Sequence, residues 1–584
     1  MSIEHLITEH LDIWTAADTE KKSGRGRGSA NSGNVYGIKK LRELILELAV
    51  RGKLVSQDLN DEPASELLKR IKAEKAKLIA EGKIKKEKPL APITEEEKPF
   101  ELPVGWEWVR VNTIGHDWGQ KTPDADFTYI EVSAIDSKIG IVSTPQLVEF
   151  ENAPSRARKI VKAGTVIYST VRPYLLNIAV IEKEFIPEPI ASTAFAIVHP
   201  FCSMPPRYFL FYFRSPIFVS YVESVQMGIA YPAINDGQFF SGLLPLPPLA
   251  EQHRIVVKVD ELMALCDQLE NQHNNAAEAH EKLVAHLLGT LTQSQNAEDF
   301  NANWQRIAEH FDTLFTTETS IDELKQTLLQ LAVMGKLVPQ DPNDEPASEL
   351  LKRIQAEKAE LIAEGKIKKE KPLASITEEE KPFDLPVGWE WVHLFKIADV
   401  ISGNAFKSED FNNESGTRVI KITNTGVNEL IETSDFLPES FRTKYENYIV
   451  NEGDLLLALT RPYISNGLKI SKCPSSYNKS LLNQRVAAIK INNHTNEEYV
   501  YQTLKSPYVL KTYQHRFGGS GLQPNLKISD VTELLIPLSP LAEQHRIVSK
   551  VDELMAICDQ LKTRINEANE LQRKIADVVV ENTI

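Results

Sequence analysis

The strongest constraint on this chain is that much of it is written twice. Residues 41–108 recur at 324–391, with 56 of 68 positions identical. Both copies contain DEPASELLKRI, LIAEGKIKKEKPLA, ITEEEKPF and LPVGWEW. A second block, PLAEQHRIVVKVDELMALCDQLE at 248–270, returns as PLAEQHRIVSKVDELMAICDQLK at 540–562. A weaker echo pairs Glu9, His10 and Asp12 with Glu309, His310 and Asp312. The first copy also carries about 17 extra residues near 21–37, including GRGRGSANSG, which read as a flexible linker. Solenoids repeat every 20–50 residues, whereas this repeat returns after nearly 300. Two units related by a pseudo-two-fold axis are the simpler reading.

The shared blocks read as helices. Ile255, Val259, Leu262, Cys266 and Leu269 alternate four- and three-residue spacing, the seam of a coiled coil, and Ile547, Val551, Leu554, Cys558, Leu561 and Ile565 repeat it. Pro248 and Pro540 suit helix starts, and Gly52 and Gly335 suit helix ends. Leu41, Leu44, Ile45 and Leu48 form a further amphipathic set, as do Leu67, Leu68, Ile71 and Leu78. Between the shared blocks lie two dissimilar segments, about 109–245 and 392–537. Their runs FTYIEV (127–132), VIYSTV (166–171), RVIKIT (418–423) and DLLLAL (454–459) predict strands. The stretches 208–222 and 499–513 suit helices. The expected architecture is therefore α+β: two α/β domains joined by long helices in an antiparallel coiled coil. The expected divisions are a helical region at 1–108, a domain at 109–245, a helical region at 246–391, a second domain at 392–537 and a helix at 538–584.

Composition restricts the function. Hydrophobic residues make up 42% and charged residues 25%, a normal globular mix. No apolar run approaches the ~20 residues that span a bilayer. The first residues, with Glu4, Glu9 and Asp12, do not look like a secretory signal. Four cysteines without a CxxC pair fit a reducing cytoplasm and argue against a zinc cluster. The net charge of −15 argues against gripping nucleic acid through overall charge, but it is unevenly spread. The two dissimilar segments carry about −1 and +1, so the acidity sits in the shared helices, as a solvated face or a complement to a basic partner.

No catalytic or metal motif stands out. Gly24, Gly26 and Gly28 follow no strand, Gly335-Lys336 precedes Leu337 rather than Ser or Thr, and Met204-Pro205-Pro206-Arg207 is no methyltransferase tetrad. His273, His280 and His286 lack HExxH spacing. Glu251, His253 and Arg254, and their counterparts Glu543, His545 and Arg546, fall in the first turn of a helix, where capping or partner contact is expected.

LPVGWEW before each dissimilar segment, and PLAEQHRIV after it, resemble the specificity subunit of type I restriction–modification enzymes. The resemblance spans nearly the whole chain, and its force lies in the two motifs occurring twice in the same order. The glycine-rich insert is the main departure. The resemblance implies that the two dissimilar segments are target-recognition domains, each reading one half of a split double-stranded DNA site. It implies that the shared helices form a spacer and dock two modification subunits, which carry S-adenosylmethionine and methylate adenine N6. Restriction subunits would add ATP- and Mg2+-dependent translocation and cleavage. No cofactor is then expected on this chain, and it is not itself an enzyme.

The residues support that picture separately. Two nearly identical docking segments fit two copies of one partner, and two dissimilar domains fit an asymmetric target. Base readout needs Arg, Lys, Asn or Gln on a firm loop. The candidates are Gln120, Lys121, Arg172, Tyr174 and Asn235 in the first domain, and Asn404, Lys407, Arg461, Tyr463 and Gln523 in the second. Arg172 and Arg461 align within VRPY and TRPY, which suits DNA contact or a structural ion pair equally. A seam from Leu249 toward His286 makes a rod of roughly 50 Å, enough to separate half-sites by roughly 15 base pairs. Two rival readings stay open: a non-DNA coiled-coil scaffold presenting two ligand-binding domains, and a DNA-processing enzyme with an unrecognised site.

Overall fold

The computed structural model describes residues 7, 9–16, 35–86, 90–228, 231–364, 375–464, 467–517 and 524–584. The chain divides into two compact units, one of residues 1–276 with 567–584, the other of residues 277–566. Two long helices, Leu249–Gln293 and Leu541–Thr583, each begin in one unit and end in the other. The first runs past the expected stop near His286. Val284, Leu288 and Leu291 resume four-three spacing one residue out of phase with the earlier seam and are buried, and no proline interrupts the helix.

In the first unit, Ile255, Val259, Leu262 and Cys266 pack in one core with Ile38, Leu41 and Ile45 of the helix Tyr36–Val50. Ala576 joins the same core, with Val579 and Val580 against it. The start of one long helix thus lies against the end of the other, which is antiparallel packing. The second unit repeats the plan. Ile547 and Val551 pack with Leu329 and Val333, and Cys558 with Val284, Leu288 and Leu324. Both seam cysteines are packing residues, and burial pushes the Cys266 thiol up to about 12. Among the described residues no helix is long and apolar enough to cross a membrane.

Each unit carries one sheet-rich domain, and the two domains share a topology. In the first, a mixed sheet runs in the order Gln146–Val148, Phe127–Ile130, Pro189–Ser192, Ala157–Ile160, with the central pair parallel. In the second, Phe436–Leu437, Thr417–Ile420, Ser480–Leu482 and Ile449–Val450 repeat the order, again with a parallel central pair. The other sheet begins with four strands in matching order: Gly115–His116, Phe195–Pro200, Val166–Ser169 and Ile178–Val180 in the first domain. The second domain has Ala398–Ser402, Val486–Ile491, Leu455–Ala458 and Ile470–Lys472. Among the described residues, only the first domain extends this sheet, with Ile141–Val142 and Ile135–Asp136. A two-stranded clamp closes each domain at its ends, pairing Trp108 with Pro245 and Trp391 with Pro537.

The apolar stretches at 208–222 and 499–513 are each two helices rather than one. Pro206–Arg214 gives way to Pro216–Val225, and Glu497–Leu504 to Pro507–Phe517. A proline removes a backbone donor and clashes with the preceding turn, so each helix restarts there. Buried Ser215 and Ser506 precede the prolines and turn their hydroxyls back onto Tyr212 O and Thr503 O.

Candidate nucleic-acid interface

The duplicated motifs prove to be halves of one clasp, built twice. In the first unit the indole Nε1 of Trp106 donates to Glu251 Oε2 at 2.9 Å, and Gln57 Nε2 donates to Glu251 Oε1 at 2.8 Å. Arg254 Nη2 reaches Asp61 Oδ2 at 2.6 Å, and Ala64 N donates to Gly105 O at 2.8 Å. In the second unit Trp389 and Gln340 donate to Glu543 at 2.9 and 3.2 Å, and Arg546 meets Asp344 at 2.5 Å. Ala347 N donates to Gly388 O at 2.9 Å. DEPAS, PVGW and AEQHR therefore meet at one node. Gly52 and Gly335 are required beside it, since each has φ of +68° and a Cβ would lie within 2.5 Å of Pro103 or Pro386.

These nodes hold the helix-start residues for which capping or partner contact is expected. Glu251 and Glu543 are only 2% and 1% exposed and anchor their own chain. Burial, partly offset by the indole hydrogen bonds, holds both above the usual carboxylate range. Arg254 and Arg546 are half-buried and committed to Asp61 and Asp344. His253 and His545 are the exposed members, and His545 Nδ1 lies 2.9 Å from Asn496 Nδ2.

The DNA-reading candidates divide in the same way. Gln120 is exposed beside a single bridge to Lys159. Lys121 is paired with Glu188 at 2.5 Å and Asp124 at 3.4 Å, so its charge is already engaged. Asn235 is an exposed helix cap, its Oδ1 accepting from Gln238 N at 2.9 Å. Asn404 is half-buried in a bridge to Asn483, and Lys407 is exposed, 3.3 Å from Glu409. Gln523 and residues 21–34 of the glycine-rich insert lie outside the described residues.

Arg172 and Arg461 are both exposed and stand at the same turn. The residues after them part company. Tyr174 is 51% exposed on a short helical turn, Pro173–Leu175, whereas Tyr463 is half-buried in a hairpin strand, Tyr463–Ile464. The sequence alignment of these tyrosines therefore does not make them structural equivalents.

One residue that composition and motifs left unremarked ties the first face together. Lys159 is 3% exposed, and its ammonium lies 2.7 Å from Asp117 and 3.1 Å from Asp236. Burial alone would lower its pKa, but the two carboxylates outweigh that and raise it, keeping the lysine charged. It joins the loop of Gln120 to the loop of Asn235, which in turn braces Arg172. No motif or predicted element in the sequence marked it.

Residues 158–279 and 386–571 match the family model described as type I restriction modification DNA specificity domain. The chain is 45% identical to the type I restriction enzyme EcoAI specificity subunit of Escherichia coli, over all of both chains. It is 40% identical to the EcoEI specificity subunit of the same organism, over 100% of this chain and 99% of that one. A solved HsdS subunit from Thermoanaerobacter tengcongensis is similar over 83% of this chain and 98% of its own, at 23% identity and a TM-score of 0.42. With the family model covering more than half of its residues and full-length relatives at 40–45% identity, the chain belongs to the type I restriction–modification DNA specificity family.

Proposed function

We propose that this chain is the sequence-reading subunit of a type I restriction–modification complex. One observation carries the reading: two domains of one topology but different loops are each held in an identical clasp. A constant frame with exchangeable faces suits a bipartite, asymmetric DNA target, one half per domain. The chain binds double-stranded DNA and docks two copies of one adenine-N6 methyltransferase subunit, through which restriction subunits join. S-adenosylmethionine, ATP and Mg2+ belong to those partners, which act in the cytoplasm, and this chain has no catalytic residues of its own.

The experiment is sequencing of methylated adenines in cells with and without the gene, followed by native mass spectrometry of the purified complex. A split adenine motif that disappears with the gene, and a complex holding two modification subunits, are the expected results. Methyl transfer by the pure chain, or saturation at a single modification subunit, would count against the reading.

A further inference from the structure

The two recognition domains differ in sequence over most of their length, yet each turns its chain at an arginine in the same unusual conformation. Arg172 has φ 50° and ψ 57°, and Arg461 has φ 50°. This left-handed region costs a non-glycine residue on the order of 1 kcal/mol. Glycine would remove that cost, but both domains carry arginine followed by a buried proline.

The turn is latched identically in the two copies. Arg172 N donates to Pro232 O at 2.8 Å, and Ile234 N donates to Thr170 O at 2.9 Å. In the second domain, Arg461 N donates to Pro524 O at 2.9 Å, and Leu526 N donates to Leu459 O at 2.7 Å. The elbow is therefore a rigid mount, fixed through backbone atoms that do not depend on the surrounding side chains. Both arginine side chains are exposed on it, and the Arg172 guanidinium sits 5.0 Å from the centre of the exposed Tyr231 ring.

A residue that reads a base has to differ where the bases differ. A residue kept with its backbone geometry in two otherwise different faces suits whatever the two half-sites have in common, and that is the phosphate backbone. We propose that Arg172 and Arg461 each grip a DNA phosphate and fix the register of their domain on the duplex. Base discrimination is left to the loops that diverge directly after Pro173 and Pro462. This rests on the DNA-reading function proposed above. A guanidinium suits the task because it stays charged and presents paired donors to phosphate oxygens.

The test uses the assembled complex, with wild-type chain and with Arg172→Ala, Arg461→Ala, Arg172→Gly and Arg461→Gly. The glycine variants relieve the left-handed turn while removing the cation, so a folding defect of the alanine variants does not decide the outcome. Affinity is measured as a function of salt for the methylated target duplex, for duplexes with one base pair changed in either half, and for unrelated DNA. The expected result is a loss of roughly tenfold or more, equal for all duplexes. The slope of log affinity against log salt should fall by about 0.9 for each arginine removed. A loss confined to one base pair would make the arginine a base reader and overturn the proposal, as would unchanged affinity and slope. A wild-type complex with no preference for its target would instead overturn the DNA-reading function itself, and the arginine role with it.

Discussion

The two recognition domains share strand order and backbone latches, but at one matched position they hold opposite chemistry. In the first domain His116 faces His199 across an antiparallel pair, with ring centres 5.3 Å apart. In the second, Asp399 faces Lys490 at the same place in the sheet. His116 is 5% exposed, stacks on Phe201, and has no hydrogen-bond partner on either ring nitrogen among the described residues. Burial, reinforced by His199, lowers its pKa to about 4. The backbone plan of the domain thus tolerates a neutral aromatic cluster or an opposite-charge pair. What the fold requires is the ladder, and the side chains on it are exchangeable.

The largest effect that could break this comparison comes from exchange of a whole domain. Replacing residues 109–245 with the matching domain of a relative should change one half of the methylated motif completely and leave the other intact. Methylome sequencing reads the outcome, and a change in both halves would show that the domains do not read independently. Next come the clasps, where the two units are the same. Trp106→Ala and Trp389→Ala should each cost about 3–5 kcal/mol, because each removes a buried indole and strands a buried carboxylate. Hydrogen exchange should show the loss in the unit that carries the mutation, with similar size in both. Clearly unequal costs would mean that identical contacts are not energetically equivalent.

The smallest effect separates the domains by pH. The folded-state pKa of His116 lies below the ordinary histidine value of 6.5, so the unfolded chain takes up the proton first. The stability is complete above pH 6.5 and is lost as pH falls toward about 4, by up to roughly 3 kcal/mol. The loss should be local to the first domain, and His116→Phe should flatten its acid dependence in hydrogen exchange. An equal acid loss in wild type and variant would remove His116 as the cause.

Much of the architecture was legible because it is periodic. Ile255, Val259, Leu262 and Cys266, and Ile547, Val551 and Cys558 of the repeat, are buried as the four-three spacing predicts, with Leu554, Leu561 and Ile565 half-buried, and the strand runs at 127, 166, 418 and 454 all form strands. The helix breaks before Pro216 and Pro507 were equally visible in principle, but apolar composition outweighed them. The clasp was legible only as motifs. Trp106 and Glu251 are 145 residues apart, and no local pattern says that an indole will find that carboxylate. For the same reason Glu251 looked like a surface residue at a helix start. Candidate DNA contacts were chosen by residue type and loop position, which cannot distinguish a cap such as Asn235 or an engaged ion such as Lys121 from an uncommitted side chain.

The helix Leu541–Thr583 has a consequence for how the protein is made. The core of the first unit includes Ala576, with Val579 and Val580 packed against it, and Tyr36 donates a hydrogen bond to Asp577 at 2.8 Å. Asp577 is synthesised 541 residues after Tyr36. The core around the helix Tyr36–Val50 therefore waits for residues made after all of 277–566, the whole of the other unit. Until then, the apolar face of the helix Tyr36–Val50 lacks part of its cover. The nascent chain consequently carries a sticky surface while the intervening stretch is made, and deletion of residues 576–580 would leave that surface uncovered.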